Sequence, residues 1–193
     1  MDERAQRIVT TAMEMAEKDG YDGLRLRELS DRAGVALGTV YRRFSSKEEI
    51  LAAALELLVE QLREQLQRWM IPGETPEERL LGFFGVGTQI LGQRPKLSAA
   101  MLRTVSSGDP ELSEKVLRYH GQMTELILAV YRGEFSEDLP SNDERALAEL
   151  LQHVWFGALV GWTGGMHTTE VVLEQMTTAT RLLLRGLAHE HER

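Results

Sequence analysis

The sequence predicts an all-α protein with about nine helices. Three observations predict it. Every segment of length spaces its apolar residues at helical period; capping boxes and glycine or proline stops bound those segments; and no run alternates like a half-buried strand or carries an Asn-Gly hairpin turn.

The elements follow in order. Ile8, Ala12, Met15 and Ala16 form one face of a first helix that Gly20 ends. A short helix over about residues 27–33 stops at Gly34-Val35, and another covers about 37–44. Ser46-Lys47-Glu48-Glu49 reads as a capping box, with Ser46 as N-cap, opening a long helix toward Met70 that Pro72-Gly73 closes. Thr75-Pro76-Glu77-Glu78 repeats the box, with proline at the first helical position, where its missing N–H costs nothing. That helix stops before Pro95, and a shorter one covers about 96–106. Asp109-Pro110 starts a helix to about Arg132, and Ser141-Asn142-Asp143-Glu144 caps one through Trp162 that Gly164-Gly165 breaks. Thr169 opens the last helix, to about Leu187.

Composition excludes several classes. The 193 residues suit one large domain or two small ones, and 42% hydrophobic with 27% charged residues is ordinary for a globular chain. The formal net charge of −8 excludes a uniformly basic nucleic-acid coat. Cysteine is absent, which excludes disulfides, thiol catalysis, iron–sulfur clusters and Cys-based zinc sites. No apolar run reaches membrane-span length and the N-terminus lacks a signal-peptide pattern, so the expectation is a cytoplasmic protein without a membrane partner. His120, His153, His167, His189 and His191 lack the Glu-x-x-His spacing of di-metal bundles, and no HExxH, P-loop or GxSxG occurs. No catalytic residue, metal site or cofactor is expected, and His189-Glu190-His191-Glu192 reads as a solvated tail.

Charge is uneven. Residues 1–47 hold nine basic and eight acidic residues, whereas the remainder is strongly acidic. Arg32, Arg42, Arg43 and Lys47 lie in a stretch with no acid, the pattern of a focused phosphate contact or of a chance gap in a solvated surface. The segment from Leu26 to Phe44 reads as a helix-turn-helix. Leu29, Ala33, Val35 and Val40 are its apolar positions, and Gly34 stands at the turn, where a left-handed backbone is cheap only for glycine. The second helix then exposes Leu37, Thr39, Tyr41, Arg42 and Arg43 and is short enough for a major groove about 12 Å wide. Lys47 lies in the first turn of its helix, where the macrodipole disfavours a cation unless an anion is shared.

These residues resemble the TetR family of one-component transcriptional regulators. The matching residues are Ala33-Gly34-Val35, Gly38-Thr39-Val40-Tyr41, Phe44, Ser46-Lys47-Glu48-Glu49-Ile50-Leu51 and the Gly20-Tyr21-Asp22-Gly23 end of the first helix. The resemblance is specific over about residues 5–55 and loose beyond. Two departures stand out: Ser30 replaces the usual Ala, and Ala36 replaces a Ser that would cap the second short helix. The resemblance implies a DNA-binding domain over residues 1–50 and a helical effector-binding and dimerisation domain over 51–193. It implies double-stranded operator DNA as a partner, contacted through Arg27, Leu37, Gly38, Thr39, Tyr41, Arg42, Arg43 and Lys47. Arg42 is the candidate for bidentate guanine readout. Tyr41 offers its hydroxyl to a phosphate, Thr39 a phosphate or thymine-methyl contact, and Leu37 an apolar contact. Arg27 and Arg43 touch phosphate or only solvent.

The resemblance further implies a homodimer and a small-molecule effector, with the protein acting as a repressor that the effector releases from DNA; the residues by themselves also fit a constitutive DNA-binding regulator without an effector, or a helical binding or scaffold protein. On the eighth expected helix Val154, Gly157, Ala158 and Gly161, and on the last Val172, Met176, Ala179 and Leu183, are the candidate dimer face. Phe83, Phe84, Met101, Thr104, Tyr119, Met123 and Trp155 are candidates to line an effector site that suits an apolar or amphipathic ligand, lipid-like or an acyl-CoA.

Overall fold

The structure is a computed structural model that describes the backbone of residues 1–191 and the side chains of residues 1–188; the His189-Glu190-His191-Glu192 side chains lie outside the described residues. Nine α-helices and no strand occur among the described residues: α1 (Glu3–Gly23), α2 (Leu26–Arg32), α3 (Leu37–Arg43), α4 (Lys47–Arg68), α5 (Pro76–Gln93), α6 (Pro95–Val105), α7 (Ser113–Arg132), α8 (Asn142–Thr163) and α9 (Thr169–His191). None is long and apolar enough to cross a membrane.

The caps act largely where the sequence places them. Ser141 and Glu144 close a reciprocal capping box at α8. Thr75 Oγ1 accepts from the Glu78 amide at 3.2 Å, while Glu78 accepts from the amides of Glu74 and Thr75. At α4 the box is only half formed. Ser46 Oγ accepts from the Glu49 amide, but the Glu49 carboxylate turns to the Ser45 amide and hydroxyl. Gly20 interrupts the helix path of α1 with φ of 74°. The helix expected from Asp109 begins instead as a 3₁₀ turn, Pro110–Leu112, capped by Asp109, before α7 starts.

The chain packs as two compact units, and neither follows a cut between residues 50 and 51. One contains residues 1–60 with 94–119; the other contains 61–93 and the residues from 120 onward. In the first, the apolar face of α1 (Ile8, Val9, Ala12, Met15) meets Leu29, Val40, Ile50 and Leu51, and α6 adds Leu97, Ala100 and Met101 to the same core. Spacing of i, i+3, i+4 and i+7 puts Leu97, Ala100, Met101 and Thr104 on one face of α6, all buried. In the second unit α9 packs on both α5 and α8. Arg79 on α5 holds the end of α7 by donating to the Val130 and Tyr131 carbonyls, at 3.0 and 2.7 Å, which caps carbonyls the helix leaves unpaired.

Candidate nucleic-acid interface and effector region

Two seven-residue helices have little stability of their own, so their geometry depends on what fixes them. The turn is one such fixture. Gly34, at φ 63°, donates to Asp31 O, and Val35 N donates to Ser30 O at 3.0 Å, the paired hydrogen bonds of a Schellman motif. Leu29 and Val40 are fully buried beneath it, and Ser30 is buried with its hydroxyl on Arg27 O. Ala36 provides no side-chain cap for α3.

The outer side of α3 carries the candidate readers. Gly38 and Arg42 are exposed, Tyr41 is 55% exposed, and Leu37 and Thr39 are half-buried. A Cβ at Gly38 would meet nothing within 4 Å, so this surface is open to close approach. Arg42 forms no ion pair among the described residues, and Arg27 on α2 is likewise exposed. Arg43 is different: its guanidinium pairs with Asp2 at 2.5 Å and is half-buried. Asp2 also caps α1 by accepting from the Ala5 amide, and that amide, followed by Arg43, holds its carboxyl below the usual range. Arg43 thus ties the end of α3 to the start of α1, a positioning contact that its sequence context did not reveal.

Lys47 opens α4 as expected, but the protein itself supplies partners for its charge. Its Nζ lies 3.8 Å from the Tyr21 ring centroid and donates to Tyr21 O at 3.2 Å. Beside it, burial pushes the Glu49 carboxyl up, but the Lys115 ammonium at 2.6 Å and the Ser45 donors outweigh it, leaving the carboxyl below its ordinary value.

The seven candidates for an effector site fall into two groups. Phe83, Phe84 and Trp155 form one aromatic cluster in the second unit, with Phe83–Phe84 and Phe84–Trp155 centroids 5.3 Å apart in edge-to-face geometry. Trp155 Nε1 donates to the buried Thr88 hydroxyl at 3.0 Å, and Gly87 leaves room for the indole: a Cβ there would lie 2.9 Å from it. Met123 is buried in the same unit. Met101 and Thr104 do not join this cluster. Both face α1 in the first unit, where Thr104 spends its hydroxyl on Ala100 O. Tyr119 also belongs to the first unit, and burial pushes its phenol up to about 12.

Sequence reasoning missed a polar chain in the second unit. The Thr124 hydroxyl donates to Gln152 Oε1 at 2.9 Å, and Gln152 Nε2 donates to His120 Nδ1 at 2.6 Å. Burial, then His153, holds His120 below its ordinary value, which favours the neutral ring that an accepting nitrogen requires. Gln152 interrupts the apolar face of α8, the one signal that could have found it. Gln122 Oε1 and the Thr180 hydroxyl are buried without a hydrogen-bond partner among the described residues.

The candidate dimer residues also divide. Val154 and Gly157 are exposed on α8, and Ala179 and Leu183 are half-buried on α9. Ala158, Gly161, Val172 and Met176 are buried within the single chain, and Gly161 is packed against His167. These four pack inside the protomer, Ala158 and Gly161 on α8 and Val172 and Met176 on α9, two helices that pack on each other. The apolar residues left outward are Leu150, Val154 and Val160 on α8 and Leu173 and Leu182 on α9.

The short helix pair, its Schellman turn and the open basic face of α3 define a helix-turn-helix regulator that reads DNA. The pattern of bacterial regulatory proteins of the tetR family matches residues 8–54, and that of the tetracyclin repressor-like C-terminal domain matches residues 73–183. The chain is 30% identical over 182 residues to the HTH-type transcriptional repressor KstR of Mycobacterium tuberculosis, covering 94% of this chain and 81% of that protein. A TetR transcriptional regulator from Rhodococcus sp. RHA1 shares the fold at a TM-score of 0.83 and 24% identity, over 94% of this chain and 95% of that one. FadR of Thermus thermophilus, solved in complex with lauroyl-CoA, does so at 0.73 and 23% identity, over 94% of both chains. The chain belongs to the TetR family of bacterial regulatory proteins. It is a DNA-binding transcriptional regulator of that family.

Proposed function

We propose that the chain acts in the cytoplasm as a homodimer, without a catalytic step. It presents one α3 helix to each half of a pseudo-palindromic operator and leaves the DNA when an amphipathic acyl thioester binds the second unit. The observation that carries the DNA half is the exposed Tyr41 and Arg42, with Thr39 half-buried on the same helix, held by the Gly34 turn. Arg42 reads guanine through two parallel hydrogen bonds, while Lys47 and Arg27 neutralise phosphate. Tyr41 and Thr39 contact the backbone or a thymine methyl, Gly38 lets the helix approach, and Leu37 adds an apolar contact. Arg43 holds α3 in place through Asp2.

The effector half is supported by the Phe83–Phe84–Trp155 cluster, by Met123 buried in the same unit, and by sealed polar atoms at Gln122 and Thr180 that lack partners among the described residues. Such a unit offers apolar area for a chain and hydrogen-bond capacity for a polar group. The lauroyl-CoA complex of the Thermus thermophilus protein and the stearoyl-CoA complex of Bacillus subtilis FadR suggest the thioester class. Leu150, Val154, Gly157 and Val160 with Leu173 and Leu182 supply the face for a second copy. Ligand binding shifts a population between DNA-matched and unmatched dimers, by no more than the ligand's own preference for the unmatched one.

The test begins with a duplex selected from a random pool and followed by fluorescence anisotropy. Binding as a dimer to a two-fold symmetric site is expected, with release by C12–C18 acyl-CoA but not by coenzyme A alone. Equal affinity for unrelated duplexes, or a monomer by light scattering at micromolar concentration, overturns the DNA reading. Retention of DNA with every acyl-CoA tried overturns the effector assignment.

A further inference from the structure

Tyr21 lies just beyond the Gly20 break in α1, outside the DNA-reading face of α3, yet it gathers an unusual set of charges. Lys47 Nζ is 3.8 Å and Arg103 Cζ 4.0 Å from the centroid of its ring. Its hydroxyl donates to Glu48, its carbonyl accepts from Lys47, and Arg103 also pairs with the neighbouring Asp22 at 3.8 Å. All five residues belong to the first compact unit, with Lys47 and Glu48 on α4 and Arg103 on α6.

Two cations on one ring repel each other, and each would otherwise be better hydrated alone. The ring's quadrupole attracts both, and Glu48 and Asp22 neutralise the group. An ammonium has three donors. The Tyr21 carbonyl takes one, the ring face a second, and the third remains for an outside acceptor. Where that third N–H points depends on the ring, and the ring is held by Glu48 at its hydroxyl and by the Arg103 guanidinium on its face.

We propose that Tyr21 and Arg103 are positioning residues for DNA binding: through the ring they share, Arg103 fixes the Lys47 ammonium for an operator phosphate without touching the DNA itself. This rests on the reading of Lys47 as a phosphate contact. Arg103 is an arginine whose charge is spent on a tyrosine face, so its effect on DNA passes through two side chains of the protein.

The test measures operator affinity against salt for the full-length chain. Lys47→Ala is expected to weaken binding to every duplex and to lower the salt slope by about one. Arg103→Ala is expected to weaken binding about fivefold, in line with a single cation–π contact. Arg103→Lys, which keeps a cation beside the ring, is expected to stay within about twofold of the parent. The deciding measurement is the pair of double variants: Arg103→Ala is expected to add nothing once Lys47→Ala or Tyr21→Leu is present. If Arg103→Ala costs the same factor in the Lys47→Ala background, Arg103 acts on DNA by another route and the inference falls. A lowered melting temperature with unchanged affinity reduces Arg103 to a structural role and also overturns it. If Lys47→Ala leaves affinity and slope unchanged, the phosphate reading fails and this inference fails with it, a result distinct from the other two. Should Tyr21→Leu not fold by circular dichroism, the Lys47→Ala background and the Arg103→Lys rescue decide the matter.

Discussion

The two packing units fill their cores differently. Where the recognition helix is held, small side chains are interleaved with larger ones: Ala5, Ala12, Ala16, Ala33, Ala53 and Ala54 are buried among Ile8, Leu29, Val40 and Leu51. In the unit formed by residues 61–93 and 120 onward, rings and sealed polar groups take their place: Phe83, Phe84 and Trp155, with Thr88, Thr124 and Gln152 bonded among apolar neighbours. Small residues let backbones approach closely, which is what two seven-residue helices need in order to keep one geometry. Bulky rings joined by few hydrogen bonds, in a unit whose buried Thr180 hydroxyl has no partner among the described residues, leave more ways to repack. The contrast separates a closely packed template from a part that can repack, as the proposed effector response requires.

Removing a ring should test that contrast most severely. Phe84→Ala is expected to cost about 3–5 kcal/mol in chemical denaturation followed by tryptophan fluorescence, since Phe84 is fully buried. A loss below about 1 kcal/mol would mean that the cluster is already slack. Arg42→Ala comes next, with about 1–3 kcal/mol of discrimination lost at one base pair per half-site in competition binding and little change in melting temperature. An equal loss on all sequences would move Arg42 to the phosphates. At the turn, Gly34→Ala forces an L-residue into φ of 63° and is expected to cost about 1–2 kcal/mol of stability, with weaker binding to every duplex.

The smallest expected effect is electrostatic. Arg132 donates twice to Glu144, at 2.9 Å each, and this pairing, against the opposing push of burial, holds the Glu144 carboxyl down to about 2. A lowered folded-state value contributes stability above the ordinary value near 4.5 and loses it as pH falls toward 2. The parent protein should therefore lose more thermal stability between those values than Glu144→Gln does. Parallel melting curves across that window would assign acid sensitivity elsewhere.

Much of the fold was legible because its signals are local. Ser141 and Glu144, Thr75 and Glu78, Gly20 and Gly34 mark helix ends through contacts within a few residues. The facing of helices was not. α9 carries Val172 and Met176 on one stripe and Leu173 and Leu182 on others, and periodicity alone does not say which turns inward. Met101 and Thr104 were assigned to an effector site on residue type, but the face they share with Leu97 and Ala100 packs on α1. The Asp2–Arg43 pair joins residues 41 apart in the chain, a distance at which sequence carries no pairing signal. The outward position of Tyr41 and Arg42 was legible because a motif of fixed length sets them on one short helix.

Gly87 and Trp155 give the family's sequence drift in this chain a narrow track. The indole occupies the space that a side chain at position 87 would need, at 2.9 Å from an added Cβ. A single change at 87 therefore forces the indole, hydrogen-bonded to Thr88, to shift, and a single change at 155 leaves a hollow where the ring stood. Neither step is neutral alone, so the two sites are expected to be inherited as a pair. Descendants that replace the tryptophan would gain access to larger residues at 87, and with them a differently shaped interior. A library that randomises both positions together should recover folded variants that two libraries of single changes do not.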